Sequence, residues 1–274
     1  MFPSVRTLTC ATPMVADHIG RFIVMARDAL ARLLLGARLR PNHVTVLGML
    51  CTVGAGVAIA AGRPYWRPWG VSLIVAAGAC DILDGAMANL SGLKTRFGGI
   101  LDSCCDRVGD AALYGGAALY FIVRPDAPAG AAGPPNLTLI VLAGVGLLWA
   151  YLISYIRARA EQTVAFCGGG FWQRGERVVT ILLGVGFHHV TTAVWILGVW
   201  PLATVAHRLW RARRTSPDAA PDAEPIQPRG LLGLVLWRWG RRGIPFDIHT
   251  VVPILMLIFW DVPAVDPLRH LVFG

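Results

Sequence analysis

Residues 81–110 read DILDGAMANLSGLKTRFGGILDSCCDRVGD and hold five of the thirteen aspartates of this 274-residue chain. The five lie in, or at the ends of, two apolar helical stretches long enough to enter a membrane. A carboxylate at the centre of a bilayer costs at least about 2.5–3.5 kcal/mol. Several carboxylates together also repel one another unless they are protonated or share a cation. The stretch therefore predicts a functional site inside a membrane protein.

The spacing of these aspartates places them in pairs on helix faces. Asp81 and Asp84 are three residues apart, and Asp102 and Asp106 are four apart, so each pair projects from one face. Two antiparallel helices would bring the four carboxylates to one membrane depth. Such hard oxygen ligands favour Mg²⁺ or Mn²⁺ over zinc, and two such ions suit substitution at phosphorus. The alternative is that the aspartates only cap helix ends near the interface.

The composition of the whole chain indicates an integral membrane protein. Apolar residues make up 55% of it and charged residues 15%, whereas soluble domains carry about 25% charged residues. The net charge is +9, which in a soluble protein would suggest nucleic acid. In so apolar a chain it indicates anionic head groups, membrane topology or a phosphate-bearing substrate instead. We expect no nucleic-acid partner.

Six stretches have the length of membrane spans, which need roughly 20 mostly apolar residues each. They are residues 43–62, 69–90, 98–123, 137–158, 176–190 and 191–210, with the last boundary near His188 and His189. An amphipathic helix over residues 19–37 precedes them and is predicted to lie in the membrane interface; an ordinary packed surface helix is the alternative. The predicted fold class is an all-α integral membrane bundle of six transmembrane helices preceded by an interfacial amphipathic helix.

Basic residues are distributed unequally between the two sides of these predicted spans. Counted from Arg21, fifteen lie in or at the ends of the segments before span one, between spans two and three, between spans four and five, and after span six up to Arg214. The other side has only Arg63, Arg67 and Arg124. The positive-inside rule therefore places the N-terminus and the aspartates on the cytoplasmic side of the cell (inner) membrane.

Four regions follow from these patterns. They are a cytoplasmic N-terminus with the interfacial helix (1–42), the six-helix domain (43–214), a flexible linker rich in proline, alanine and acid (215–230), and an apolar appendage (231–274). The appendage contains two apolar runs that are short for a span, at 231–239 and 249–260. The sequence leaves an interfacial segment and a re-entrant hairpin open for it.

The pattern around the aspartates resembles the signature of the CDP-alcohol phosphotransferases, D-x2-D-G-x2-A-R-x8-G-x3-D-x3-D. The chain matches it over Asp81, Asp84, Gly85, Ala88, Gly98, Asp102 and Asp106. The one departure is Asn89, which stands where the family has arginine and supplies neither a charge nor a bidentate fork. Lys94 and Arg96, in the following loop, are the candidates to compensate. The resemblance covers about residues 19–214.

The resemblance implies a six-helix enzyme, usually a homodimer, that transfers a substituted phosphoryl group from a CDP-linked lipid to an alcohol. It implies that Asp81, Asp84 and Asp102 bind two divalent cations with help from Asp106. Asp106 would also be the general base for the acceptor hydroxyl, which attacks the β-phosphorus of CDP-diacylglycerol while CMP leaves.

The resemblance also implies a nucleotide pocket. Gly85 and Ala88 would line it, and Asn89, Lys94 and Arg96 follow in the same region. Asn42 and Thr45, from a PNxxT-like stretch that opens span one, would approach the nucleotide. The alternative for that stretch is a helix start capped by asparagine.

Basic residues near the ends of the last three spans predict a site for a phosphate on the acceptor. They are Arg157, Arg159, Arg174, Arg177 and Arg208. Each one taken alone could instead be an interface anchor. Segments such as Thr95-Arg96-Phe97-Gly98 and Ile153-Ser154-Tyr155 are similar to those of actinobacterial phosphatidylinositol phosphate synthases. That likeness implies inositol 1-phosphate as the acceptor and phosphatidylinositol phosphate as the product.

Three other interpretations stay open at this point. The first is a phosphatidylglycerophosphate synthase, since glycerol 3-phosphate would need the same phosphate site. The second is a catalytically weak or inactive relative, because of Asn89. The third is a non-enzymatic cation transport protein, although no matching carboxylates recur in the second half of the chain as an inverted repeat would require. The expected partners are CDP-diacylglycerol, a phosphorylated alcohol, membrane lipids and a second copy of the chain.

Overall fold

The structure is a computed structural model that describes residues 15–123, 135–162, 172–215, 244–260, 262, 264–268 and 271. These residues form helices and no strand, which confirms the all-α prediction. The helices are α1 (Val15–Gly36), α2 (Pro41–Ala61), α3 (Arg67–Ser91), α4 (Arg96–Val123), α5 (Leu137–Ala160), α6 (Arg174–Gly186), α7 (Val190–Val199), α8 (Pro201–Thr215) and α9 (Ile244–Phe259), with a short 3-10 turn at Pro64–Trp66. The predicted linker after Thr215 and the apolar run 231–239 lie outside the described residues.

The chain divides into two compact units. The first contains Met1–Gly48 and Gly78–Ser103, and the second contains Met49–Ala77 and Cys104–Gly274. Helices α2, α3 and α4 each contribute residues to both.

Helix α1 packs on the first unit through one side. Ala31 is fully buried, and together with Leu34 it lies against Met87 in a small apolar core. Phe22 and Leu33, from the predicted apolar stripe, are 70% and 69% exposed. This is the arrangement that a helix lying in the membrane interface needs, and the interfacial placement stays a prediction.

In the second unit, helices α2 and α4 touch backbone to backbone. A Cβ atom on Gly116 would lie 2.3 Å from the carbonyl oxygen of Gly56, and one on Gly56 would lie 2.3 Å from that of Ala112. Only glycine permits such an approach, as is common where membrane helices cross closely.

The remaining core of the second unit forms around helix α5, which packs against α7 and α8. The Trp149 indole N–H donates to the Gly198 carbonyl at 2.8 Å. Ile153, Leu197 and Leu257 are each at most 2% exposed in the same cluster. Leu257 brings helix α9 into this core, where α9 packs on α6 and α7.

Four helical segments of the described chain are long and apolar enough to cross a membrane, which makes this a multi-pass membrane protein. They are Pro41–Ala61, Pro64–Ser91, Leu137–Ala160 and Val190–Arg213. The predicted span at 98–123 is a helix of 28 residues, but its first half carries four charged side chains. The predicted span at 176–190 is a helix of only 13 residues, about 20 Å long at 1.5 Å per residue. The count of six stays a prediction.

The glycine contact between α2 and α4 predicts a large effect of a single methyl group. Gly116→Ala is expected to destabilise the protein by at least about 1–3 kcal/mol, because its Cβ overlaps the Gly56 carbonyl. Gly115→Ala is the matched control, since a Cβ there has no atom within 4 Å and alanine favours the helix. Thermal unfolding in detergent, followed by tryptophan fluorescence, compares the two. Equal melting temperatures for both variants would contradict the close contact.

Candidate functional site

A tight reversal between α3 and α4 positions the acidic residues of the first unit. Gly92 ends α3 with φ +66°, in the left-handed region that glycine adopts at least cost. The Thr95 hydroxyl then accepts the Gly98 N–H at 2.9 Å and caps the start of α4. The chain therefore returns along α3, and Asp102 comes back beside Asp81.

The carboxylates of Asp81 and Asp102 offer oxygen atoms within 4.8 Å of each other. Asp81 is exposed and Asp102 is half-buried. Asp106 follows Asp102 by one turn of the same helix, on the same face. Carboxylates this close repel one another, and a hard divalent cation relieves that repulsion with its preferred oxygen ligands. The donor set therefore fits Mg²⁺ or Mn²⁺.

Asp84 is held differently from the other predicted ligands. It is 9% exposed and accepts a hydrogen bond from the Thr45 hydroxyl at 2.5 Å. The same hydroxyl lies 3.2 Å from the Pro41 carbonyl, so the first turn of α2 fixes the orientation of Asp84. Thr45, predicted on the nucleotide side, thus positions a carboxylate, a contact that no spacing rule in the sequence indicates.

The other residues predicted for the nucleotide lie along the end of α3, in the loop after it, and at the starts of α2 and α4. Gly85 is exposed, and a Cβ there would meet no atom within 4 Å. Asn89, Lys94 and Arg96 are exposed as well, and Ala88 is half-buried. The side chain of Asn42 lies close to Gly98: a Cβ atom added to Gly98 would be 3.3 Å from the Asn42 side-chain oxygen. The surface at Gly85 is therefore open to a ligand.

In the second unit, Asp106 is ion-paired. The Arg174 guanidinium lies 2.8 Å from one of its oxygens, and that of Arg107 lies 3.8 Å from the other. Arg174 is the first residue of α6. The residue predicted as a general base therefore lies directly beside a residue predicted to bind phosphate.

A second ion pair lies one turn deeper between the same two helices. Arg177 and Asp110 are 1% and 2% exposed, 2.9 Å apart, and Arg177 also donates to the Trp172 carbonyl at 3.0 Å. Arg177, predicted to bind phosphate, is thus occupied in a buried pair. Asp110 is not among the predicted metal ligands, but it lies one helical turn after Asp106, just as Arg177 lies one turn after Arg174.

The remaining three arginines lie on α5 and α8. Arg208 is 4% exposed and donates to the Ile153 carbonyl. Arg157 is exposed and pairs with Glu161 at 2.8 Å, and Arg159 donates to Gln162 at 3.1 Å. Arg208 of α8 thus contacts α5 at Ile153. Arg157 and Arg159 lie in the last turn of α5.

Comparison with known sequences identifies one family. Residues 38–210 match the family model of the CDP-alcohol phosphatidyltransferases. A phosphatidylinositol phosphate synthase from Mycolicibacterium smegmatis is 36% identical over 208 residues, which cover 72% of this chain and 86% of the relative. A protein of the same name from Corynebacterium glutamicum is 30% identical over 195 residues, covering 69% and 84%.

Solved structures with the same fold come from Mycobacterium tuberculosis. Its phosphatidylinositol phosphate synthase PgsA1 with CDP-DAG bound aligns with a TM-score of 0.59 and 30% identity, over 70% of this chain and 95% of that one. The same enzyme in complex with manganese and citrate aligns with a TM-score of 0.60 and 29% identity, over 77% and 100%.

The paired carboxylates predict divalent-cation binding that can be measured without turnover. Asp102→Asn is expected to weaken Mn²⁺ affinity by at least about tenfold, because the variant loses a charged carboxylate ligand. Loss of a residue that only supports a metal ligand already costs about that much. Asp28→Asn on α1, whose carboxylate pairs with Arg27, is the control and should bind as the wild type does. Electron paramagnetic resonance of free Mn²⁺ in a titration gives both constants. Unchanged affinity in Asp102→Asn would rule out a metal site here.

Proposed function

The chain belongs to the CDP-alcohol phosphatidyltransferase family, and we propose that it transfers the phosphatidyl group of CDP-diacylglycerol to inositol 1-phosphate. The products are phosphatidylinositol phosphate and CMP. The observation that carries this proposal is the carboxylate pair Asp81 and Asp102, which fits a divalent cation, in a chain similar to phosphatidylinositol phosphate synthases. Membership of this family gives no support to the cation-transport alternative.

Asp81, Asp84, Asp102 and Asp106 are the proposed ligands of two divalent cations. Bound there, the ions supply positive charge to the phosphate oxygens and to the departing CMP. The carboxylate pair of the first unit and the Thr45 hydrogen bond to Asp84 support this assignment. The manganese complex of the M. tuberculosis enzyme supports the choice of ion.

Asp106 is the proposed general base. It accepts the proton of the acceptor hydroxyl as that oxygen bonds to the β-phosphorus, and the bond from this phosphorus to the oxygen bridging the two phosphates breaks. Its ion pair with Arg174 at 2.8 Å supports a link between proton transfer at Asp106 and binding of the acceptor phosphate at Arg174. Because a phosphate competes with a carboxylate for a guanidinium, acceptor binding at Arg174 would release Asp106 for proton transfer.

Arg157, Arg159, Arg174 and Arg208 are proposed to bind the phosphate of the acceptor. The contact of Arg208 with the Ile153 carbonyl supports this role, because it places this guanidinium against α5, the helix that carries Arg157 and Arg159. We assign Arg177, by contrast, to the buried pair with Asp110. That pair holds α6 against α4 and so sets the position of Arg174 one turn away.

The cytidine is proposed to lie against Gly85 and Ala88, near Asn42, Thr45, Asn89, Lys94 and Arg96. The open surface at Gly85 supports this placement. The exposed cations Lys94 and Arg96 take over the charge that Asn89 lacks.

We also propose a homodimer in the cell (inner) membrane, with residues 43–214 as the catalytic domain. The N-terminus and the catalytic residues face the cytoplasm. The fifteen-to-three asymmetry of basic residues supports this orientation.

An acceptor panel tests the proposal. The protein in detergent is expected to release CMP from CDP-diacylglycerol only with Mg²⁺ or Mn²⁺, and faster with inositol 1-phosphate than with glycerol 3-phosphate or serine. A faster rate with glycerol 3-phosphate would identify a phosphatidylglycerophosphate synthase instead. If none of the three acceptors supports CMP release, in the wild type or in Asn89→Arg, the transferase function is contradicted.

Replacing the proposed base separates catalysis from folding. Asp106→Asn keeps the shape of the side chain but cannot take a proton, so kcat is expected to fall at least about a hundredfold. The melting temperature serves as the control for folding and should change little. Retention of most of the wild-type kcat would exclude Asp106 as the base.

The open surface at Gly85 predicts a selective loss of nucleotide binding. Gly85→Leu is expected to fold, because a Cβ there meets no atom within 4 Å, yet its side chain fills the proposed cytidine pocket. Gly78→Leu, two turns earlier on α3 with equally open surroundings, is the matched control. Binding of CDP-diacylglycerol is measured by competition with a fluorescent analogue. Equal affinity in both variants would move the nucleotide away from Gly85.

A further inference from the structure

A cavity of about 90 Å³ lies in the second unit, where α2 ends, α3 begins and α6 turns into α7. Its apolar wall includes Ile59 and Val185, and its polar wall includes Arg63, Arg67 and His188. None of the described residues that line it is acidic. The cavity therefore has an apolar wall and a wall that carries a net positive charge.

Two left-handed residues shape this cavity. Gly62 ends α2 with φ +61°, and its N–H donates to the Ile59 carbonyl at 3.0 Å, which turns Arg63 into the rim. His188 has φ +68°, a conformation that costs free energy in any residue but glycine. The turn between α6 and α7 thus holds a strained histidine at the cavity.

The cavity lies far along α4 from Asp106, the proposed general base. Tyr120, which lines it, is fourteen residues beyond Asp106, or about 21 Å along the axis of α4. Arg63 and Arg67 are two of the three basic residues that the loops between the six predicted spans place on this side of the membrane. The positive-inside rule disfavours arginine here, so these two need another reason to be present.

Aromatic residues flank the same rim. Tyr65, Trp66 and Trp69 are 60%, 40% and 63% exposed, and such side chains mark the level of the lipid head groups. The cavity therefore opens at the depth where phospholipid phosphates lie.

We propose that this cavity binds the phosphate of an anionic phospholipid, in the leaflet at the opposite end of α4 from Asp106. Arg63 and Arg67 contact the phosphate oxygens, which suit guanidinium geometry. Trp66 lies at the level of the glycerol, and the first methylenes of an acyl chain follow the apolar wall. A zwitterionic lipid binds less well, because its cationic head group meets the same arginines.

Photo-crosslinking tests this site. Wild-type protein in phosphatidylcholine nanodiscs receives a photoactivatable phosphatidylglycerol or the matching phosphatidylcholine, and crosslinked peptides are mapped by mass spectrometry. We expect phosphatidylglycerol to label residues 58–70 and 185–190, and labelling to fall about tenfold in Arg63→Gln/Arg67→Gln. Arg213→Gln, an exposed arginine at the end of α8, is the control and should label as the wild type does.

Three results would overturn the proposal. They are equal labelling by the two lipids, full labelling of the double variant, and loss of labelling when inorganic phosphate is added, which would make free phosphate the ligand. The melting temperature of the double variant, expected to match the wild type in phosphatidylcholine, shows that it folds.

A separate observation concerns the C-terminal residues. The Asp266 carboxylate accepts the backbone N–H groups of Leu137 and Thr138, both at 2.9 Å, and caps the start of α5. Asn136 donates to the Ala264 carbonyl at 3.2 Å. The segment 264–268 therefore lies at the N-terminal end of α5.

The end of α9 lies at the same end of the bundle. His189, before α7, contacts the Leu257 carbonyl at 2.5 Å, and the Thr192 hydroxyl donates to the Trp260 carbonyl at 3.1 Å. Helix α8, in contrast, finishes at the other end of α5, where Ala212 packs on Ala160. The chain therefore passes from one end of α5 to the other between Thr215 and Ala264.

We infer that this passage is an additional membrane crossing. Helix α5 has 24 residues and is long enough to span the bilayer, so its two ends lie at opposite membrane faces. The apolar helix α9, Ile244–Phe259, lies in the path, and the sequence just before it carries Arg238, Arg241 and Arg242. A crossing through α9 replaces the interfacial segment and the re-entrant hairpin that the sequence left open.

Epitope accessibility tests the crossing in the full chain. One version carries a tag between Ala220 and Pro221, and the other carries it after Gly274. In sealed spheroplasts an antibody is expected to reach only one of the two tags. In inverted vesicles it is expected to reach only the other tag. Access to both tags from the same face would overturn the crossing. Alkaline phosphatase and green fluorescent protein fused after Gly274 give an independent assignment of the same face.

Discussion

Repulsion between carboxylates at the ends of apolar helices is the constraint on which the rest of the structure depends. Asp81 and Asp102 come within 4.8 Å because Gly92 and the Thr95 cap reverse the chain between α3 and α4. Asp84 is steadied by Thr45, and Asp106 is paired with Arg174. Crowded carboxylates repel one another, and binding of a divalent cation relieves that repulsion. The same placement of the aspartates therefore explains both the local structure and the proposed cation binding.

The two ion pairs between α4 and α6 extend this arrangement into the apolar interior. Arg177 and Asp110 are almost completely buried, and loss of either partner would leave an uncompensated buried charge. One turn away, Arg174 and Asp106 are only partly buried and can exchange partners with a ligand. A fixed pair beside an exchangeable one gives a rigid support to the residues proposed to handle the acceptor.

Hydropathy and spacing predicted the helices that lie in lipid but not the contacts between them. The predicted spans 43–62 and 137–158 agree closely with Pro41–Ala61 and Leu137–Ala160, because length and apolarity are local properties. The break at Trp200 and Pro201 between α7 and α8 was missed, since the apolar run continues through it. The Asp110–Arg177 pair and the Asp266 cap on α5 join residues 67 and 128 or more positions apart, and no local pattern reports such contacts.

The central claim is that the clustered aspartates hold the divalent ions of a CDP-alcohol phosphatidyltransferase. Anomalous diffraction at the manganese edge, from crystals grown with Mn²⁺, tests it most directly. The account predicts anomalous peaks within about 2.0–2.3 Å of carboxylate oxygens of Asp81 and Asp102. Manganese bound elsewhere on the protein, with no peak at these two residues, would contradict it.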